Sequence, residues 1–208
     1  MNYRSAVGFA ILMLAASIPL RAQDRMPPIP PAKLSDAQKQ AVEDFKAARH
    51  TDISGPFVPL LRSPEVMTRA RAMGDYLRCR SVLPPRLREF VILMTSRQCT
   101  QQYEWNAHAP LAREGGLSAE IVNAIADGRR PDRMAEDEEV VYAFCDELRR
   151  NQSVSDATYA LAVARLGEQG VIETIGLMGY YTLLAMVMNT ARTPLGEATR
   201  MPLAPFPR

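Results

Sequence analysis

Histidine is scarce in this chain: His50 and His108 are the only two in 208 residues. One of them stands near carboxylates and the other falls on a distant helix, which leaves too few imidazoles for a metal centre, and none is expected. Cysteine is scarce as well. Cys79, Cys99 and Cys145 cannot all pair, so at least one thiol stays free. No run of basic residues occurs, and the net charge is +2, which argues against nucleic acid or an anionic membrane as the main partner. Strand-type alternation is also missing, while apolar residues recur at helical spacing. The fold class is therefore all-α, in one domain of about seven to eight helices.

The first residues are a different material. Met1 to Arg4 carry one positive charge, Ala6 to Leu20 carry none, and Leu20-Arg21-Ala22 offers a small residue ahead of Gln23. Residues 1–22 read as a cleaved secretory signal peptide, with an uncleaved anchor as the alternative. The expected location is thus the periplasm or the exterior. Cleavage removes Arg4 and Arg21 and no acid, bringing the net charge to zero. Residues 23–34, with Met26-Pro27-Pro28-Ile29-Pro30-Pro31, form a proline-rich linker. The domain is expected over 35–195, followed by a tail at 196–208.

Punctuation along the chain places the helices. Ser35 and Gln38 make a capping box for a helix reaching Arg49. A loop with Ser54-Gly55-Pro56 and Pro59 follows, and Pro64 opens a helix towards Cys79 with Val66, Ala70, Met73 and Leu77 as its apolar stripe. Pro84-Pro85 starts a helix that ends at Cys99–Thr100, and the next runs to Gly115-Gly116. Pro110 inside it either kinks the helix so as to present His108 or marks a restart. Ser118 caps a helix that Gly128 ends. Val140, Val141, Phe144, Cys145 and Leu148 share one face of another, and Asp137-Glu138-Glu139 at its start read as a solvated turn. Asp156 to Leu166 and Glu168 to Arg192 complete the set. The uncharged stretch Thr174 to Ala191, with small residues at 176 and 179, suits a central or subunit-interface helix better than a membrane span.

The segment Glu89 to His108 holds the chemistry. Glu89 stands among Phe90, Val91, Ile92, Leu93 and Met94, where a buried carboxylate needs a partner or a raised pKa. Glu104 and His108 are spaced i, i+4 and share a helix face. Carboxylates in two environments beside a histidine can run acid/base chemistry; the bland alternative is a helix-supporting ion pair. His50, at the end of a polar helix, suits a capping role. Cys99 precedes a helix N-terminus, where a thiol pKa tends to fall. Cys145 sits on an apolar face as a buried thiol, and a Cys79–Cys99 disulfide has doubtful geometry.

Leu83-Pro84-Pro85-Arg86-Leu87-Arg88-Glu89, Tyr103-Glu104-Trp105-Asn106-Ala107-His108-Ala109-Pro110, and Gly179-Tyr180-Tyr181 followed by Asn189 together resemble the carboxymuconolactone decarboxylase family. That family shares its all-helical fold with the AhpD alkylhydroperoxidases, and the resemblance covers roughly Pro56 to Pro194. The AhpD branch carries a glutamate, a C-x-x-C pair and a histidine. With Glu89 and His108 in register, Gln101 and Glu104 occupy the cysteine positions, so the redox dithiol is absent. The decarboxylase branch, with Glu-x-x-x-His on this helix, is the better match.

The resemblance implies decarboxylation of a small carboxylated lactone with neither metal nor cofactor. His108 is then the proton donor or relay, oriented by Glu104 or Glu89, and Arg97 receives the substrate carboxylate. Tyr103, Trp105 and Gln101 line the pocket. It also implies a homo-oligomer, a trimer or hexamer, whose partner is a small molecule, with no membrane association once the signal is cleaved. The alternatives are a peroxidase activity without the usual dithiol and a non-catalytic oligomeric binding protein. The named decarboxylase serves a cytosolic pathway whereas this chain reads as exported, so its substrate is expected to be a different lactone.

Overall fold

Ser35 and Gln38 close the expected capping box: Gln38 N donates to Ser35 Oγ at 3.2 Å, and Ser35 N donates to Gln38 Oε1 at 3.0 Å. Two orphan donors of a helix start are thereby satisfied. The helix is α1, Asp36–Arg49, and His50 ends it in the left-handed conformation. The computed structural model describes residues 23–196 and 203–204. The signal-peptide reading at 1–22 and most of the tail reading at 196–208 lie outside them. After α1 come α2 (Phe57–Leu60), α3 (Pro64–Cys79), α4 (Pro85–Gln98), α5 (Gln102–Glu114), α6 (Ala119–Ala126), α7 (Glu136–Asn151) and α8 (Asp156–Ala191). The described residues are all-α, with no strand.

Helix α4 is the axis of the assembly, touching α5, α6, α7 and α8. Phe90, Val91, Ile92 and Leu93, four consecutive residues facing all round the helix, are at most 1% exposed. Burial of each such side chain is worth about 1.5–3 kcal/mol, so α4 holds its neighbours in place. Cys99, Thr100 and Gln101 connect it to α5, with Thr100 in the left-handed region at φ 48°. Ser96, late in α4, meets Glu104, early in α5, and Glu89, early in α4, meets His108, one turn further along α5. The two helices are therefore antiparallel, and α5 runs without interruption through Pro110.

Several local expectations are corrected. The buried stripe of α3 is Met67, Ala70, Gly74 and Leu77, whereas Val66 and Met73 are exposed. A Cβ on Gly74 would lie 2.2 Å from the Tyr180 hydroxyl, so α3 approaches α8 through a residue that contributes no apolar signal to a hydrophobic pattern. The presumed loop around Pro59 contains the short α2, where a proline in a first turn forfeits no helical bond. The charge run opening α7 is not a solvated turn. Glu138 is buried and, with Asp137, clamps Arg86 of α4, Arg86 Nη2 lying 2.8 Å from Asp137 Oδ2. The linker is not a free spacer either, because Arg25 N donates to Ala191 O at 2.8 Å.

Helix α8 breaks at Gly167, whose φ of 70° and ψ of 166° are not helical, so its two halves are those expected on either side of that residue. By length and composition it could cross a membrane, yet half of its apolar window is buried inside the protein. Leu177, Tyr180, Tyr181, Leu184, Ala185 and Met188 face the core, while Ile172, Ile175, Leu183 and Met186 are exposed. Tyr180 and Tyr181 bring α8 to the site.

Candidate functional site

Glu89 and His108 project towards each other from α4 and α5. Glu89 Oε2 lies 2.6 Å from His108 Nδ1, and both residues are buried. A carboxylate on Nδ1 orients the ring and leaves Nε2 as the nitrogen that can exchange a proton with a ligand. The imidazole and the Tyr181 ring meet in a T-shaped contact, with ring centroids 5.0 Å apart at 88°. Of the two partners expected for His108, Glu89 is therefore the one it has.

Glu104 is a different kind of carboxylate. It is 3% exposed, Ser96 Oγ donates to its Oε2 at 3.4 Å, and its Oε1 is buried with no hydrogen-bond partner. No hydrogen bond joins it to His108. Burial pushes its pKa up to about 8, against the weaker opposing effect of the Ser96 hydroxyl. Glu104 therefore holds a proton at neutral pH in a place where few carboxyls do.

A cavity of about 200 Å³ opens between α1, α3, α5 and α8. Its lining includes Tyr103, Glu104 and His108 of α5, Arg49 of α1, Arg78 of α3, and Tyr180 and Tyr181 of α8. Arg49 is held by Asp75, with Nε to Oδ1 at 2.8 Å, and its guanidinium lies 4.7 Å from the Phe57 ring centroid. Arg78 is exposed and also lines a second, outer cavity of about 570 Å³, together with Glu89, Arg88 and Cys79. The Glu89–His108 pair thus spans two cavities, with Glu89 facing the outer and His108 the inner.

The remaining sequence candidates are placed elsewhere. Arg97 is buried but lines a separate depression formed by α4, α6 and α7, so it does not face His108. Trp105 belongs to the hydrophobic core and is absent from the cavity lining. Gln101 caps α5: its Oε1 accepts Tyr103 N at 2.8 Å, and its Nε2 donates to Asn189 Oδ1 at 2.8 Å, tying α5 to α8. Only Tyr103 of these residues lines the cavity.

The thiols correct another expectation. All three cysteines are free, and Cys99, despite its place before α5, has its pKa raised to about 11 by burial and then by Glu104. The helix end does not outweigh desolvation and a nearby carboxyl. Burial likewise pushes Cys145 up to about 12.

Sequence reading missed Arg49 and Arg78 as cavity residues. Each is one of many arginines near a helix end, and only the packing of α1 and α3 on α8 turns them inward. Tyr180 and Tyr181 carried a signal, as an aromatic pair in an otherwise uncharged stretch. Among the described residues no group of three or more His, Cys, Asp or Glu is arranged to hold a metal ion.

Residues 64–146 match the model of the carboxymuconolactone decarboxylase family. Comparison with curated proteins gives no match to the chain. The matched segment contains Glu89, Glu104, His108 and Arg78, whereas Arg49, Tyr180 and Tyr181 fall outside it.

Proposed function

We propose, from the match of residues 64–146 to the carboxymuconolactone decarboxylase family, that the chain is a member of that family and catalyses cofactor-free decarboxylation, or a related proton transfer, on a small carboxylated lactone-type substrate. The observation that carries this reading is a pair of unlike carboxyls on either side of one histidine: Glu89, in the lining of the outer cavity and bound to His108 Nδ1, and Glu104, buried with an unpartnered oxygen and in the lining of the inner cavity with His108. Environments that separate two acids in this way assign them different tasks.

The substrate anion is received by Arg78, the exposed guanidinium at the mouth of the cavity. The bond from the ring carbon to its carboxylate breaks, CO₂ departs, and the electron pair passes into the conjugated lactone carbonyl as an enolate. Protonated Glu104 donates a hydrogen bond to that enolate oxygen. His108, as the imidazolium held at Nδ1 by the Glu89 carboxylate, delivers its Nε2 proton to the carbon, and water entering the inner cavity after product release restores that proton. Tyr103, Tyr180 and Tyr181 restrict water around the enolate.

The alternative, turnover of hydroperoxides, is disfavoured at Cys99 and Cys145, whose raised pKa values keep them protonated. Incubation with panels of carboxylated lactones and of hydroperoxides separates the two. We further propose export with cleavage after Ala22, tested by the mass of the protein from its native envelope fraction. Self-association through the exposed face of Val66, Met73, Ile172, Ile175, Leu183 and Met186 is part of the same reading, tested by native mass spectrometry. An intact Met1 in a cytosolic fraction, or a monomer at all concentrations, would remove these two proposals.

A further inference from the structure

The segment past α8, expected as a tail, returns one residue to the core. Pro194, Gly196 and Ala204 are exposed, yet Leu203 is 2% exposed and belongs to the hydrophobic core. What holds its backbone is the side-chain amide of Gln102, the first residue of α5. Gln102 Nε2 donates to Leu203 O at 2.6 Å, and Leu203 N donates to Gln102 Oε1 at 3.2 Å. Gln102 is itself buried, so this amide lies below the surface that Ala204 regains one residue later.

We propose that the recess at Gln102 is a peptide-binding site for an extended segment presenting a leucine, and that Leu203 fills it as an exchangeable ligand supplied by the chain itself. An amide that gives a hydrogen bond to a residue's carbonyl and takes one from its N–H reads backbone, as a neighbouring strand would, while the apolar recess reads the side chain. The N–H requirement excludes proline at this position. Pro205 biases Ala204 before it towards extended backbone, which suits a segment that enters and leaves from solvent. Leu203 lies in no helix, so its release breaks these two bonds and uncovers one side chain, while α1 to α8 keep their own ladders. Such local opening requires far less than global unfolding. A peptide of the same kind replaces each lost contact, and tethering is what favours the chain's own leucine. None of this depends on the chemistry proposed for Glu104 and His108.

The test uses the full chain carrying Leu203→Glu, in which the recess has lost its occupant, and a fluorescein-labelled peptide of residues 201–208 followed by anisotropy. The peptide is expected to bind this variant saturably, and to bind the unsubstituted chain about tenfold or more weakly, because the tethered leucine competes. A peptide with N-methyl-leucine in place of its leucine lacks the N–H that Gln102 Oε1 accepts, and is expected to bind the variant about tenfold more weakly. Leu203→Ala repeats the measurement with a smaller change should the Glu variant fail to fold. Absence of binding to the folded variant, equal binding by the unsubstituted chain, or equal binding of the N-methyl peptide overturns the proposal. So does failure of both variants to fold, since Leu203 would then be a fixed part of the core.

Discussion

Glu89 and His108, nineteen residues apart, meet through one contact of 2.6 Å between Oε2 and Nδ1, and that contact sits on the wall between two cavities. Its position follows from α4 and α5 being antiparallel across a three-residue connection, which brings the first half of α4 beside the middle of α5. A carboxylate reachable from outside is thereby linked to an imidazole that faces inside.

If the pair works as a unit, Glu89→Gln and His108→Gln should each lower turnover by about 10² to 10⁴, and the double variant should be little worse than either. Steady-state kinetics with circular dichroism as the folding control measures this. Additive losses would mean that the two residues act separately.

Glu104 makes a pH prediction with a definite sign. Unfolded, it titrates in the ordinary carboxylate range; folded, its pKa is about 8. Below the ordinary range both states hold the proton. Between that range and about 8 only the folded chain does, so this group's contribution to stability falls as pH rises. Glu104→Gln should therefore melt at a temperature that gains on the unsubstituted protein from pH 5 to pH 8.5. A difference independent of pH, or one shrinking with pH, would contradict the buried, raised carboxyl.

Arg78→Gln should raise KM about tenfold or more with a smaller effect on kcat, since a charge-assisted hydrogen bond to a ground-state carboxylate is worth about 1.5–3 kcal/mol. Initial rates over a range of substrate concentrations separate the two constants. Loss confined to kcat would place the anion elsewhere.

Cys79, Cys99 and Cys145 can be replaced together by serine with at least half the activity retained, because no thiol enters the proposed chemistry. The Cys145 replacement should lower the melting temperature, as it puts a hydroxyl into a position that is 2% exposed. Activity lost in Cys99→Ser alone, with the fold intact, would make a lone thiol the reactive group.

Much of the fold was legible because its punctuation is local. Ser35 with Gln38, Pro64, Pro85, Ser118 and Gly167 mark helix ends or breaks through hydrogen bonds and dihedral angles within a few residues. What failed depends on distant neighbours. The α3 stripe was turned because Gly74 is a contact residue of Tyr180, and Glu138 looked solvated because Arg86 lies 52 residues away. The site divides in the same way. Glu89, Glu104 and His108 stood out by spacing and by apolar company, whereas the choice of Glu89 over Glu104 as the histidine's partner needed the pairing of α4 with α5. Proximity along α4 points to Arg97 as the substrate's partner, but eight residues on from Glu89 it opens on a different cavity.

The account rests on proton delivery to carbon at His108. Its most direct test is incubation of the protein with a panel of carboxylated lactones in D₂O, following CO₂ release and deuterium at the product carbon by NMR. The account predicts that at least one lactone releases CO₂ with one deuterium incorporated, and that a folded His108→Gln variant loses this by at least 10². Turnover undiminished in His108→Gln, or consumption of hydroperoxides with every lactone untouched, would contradict it.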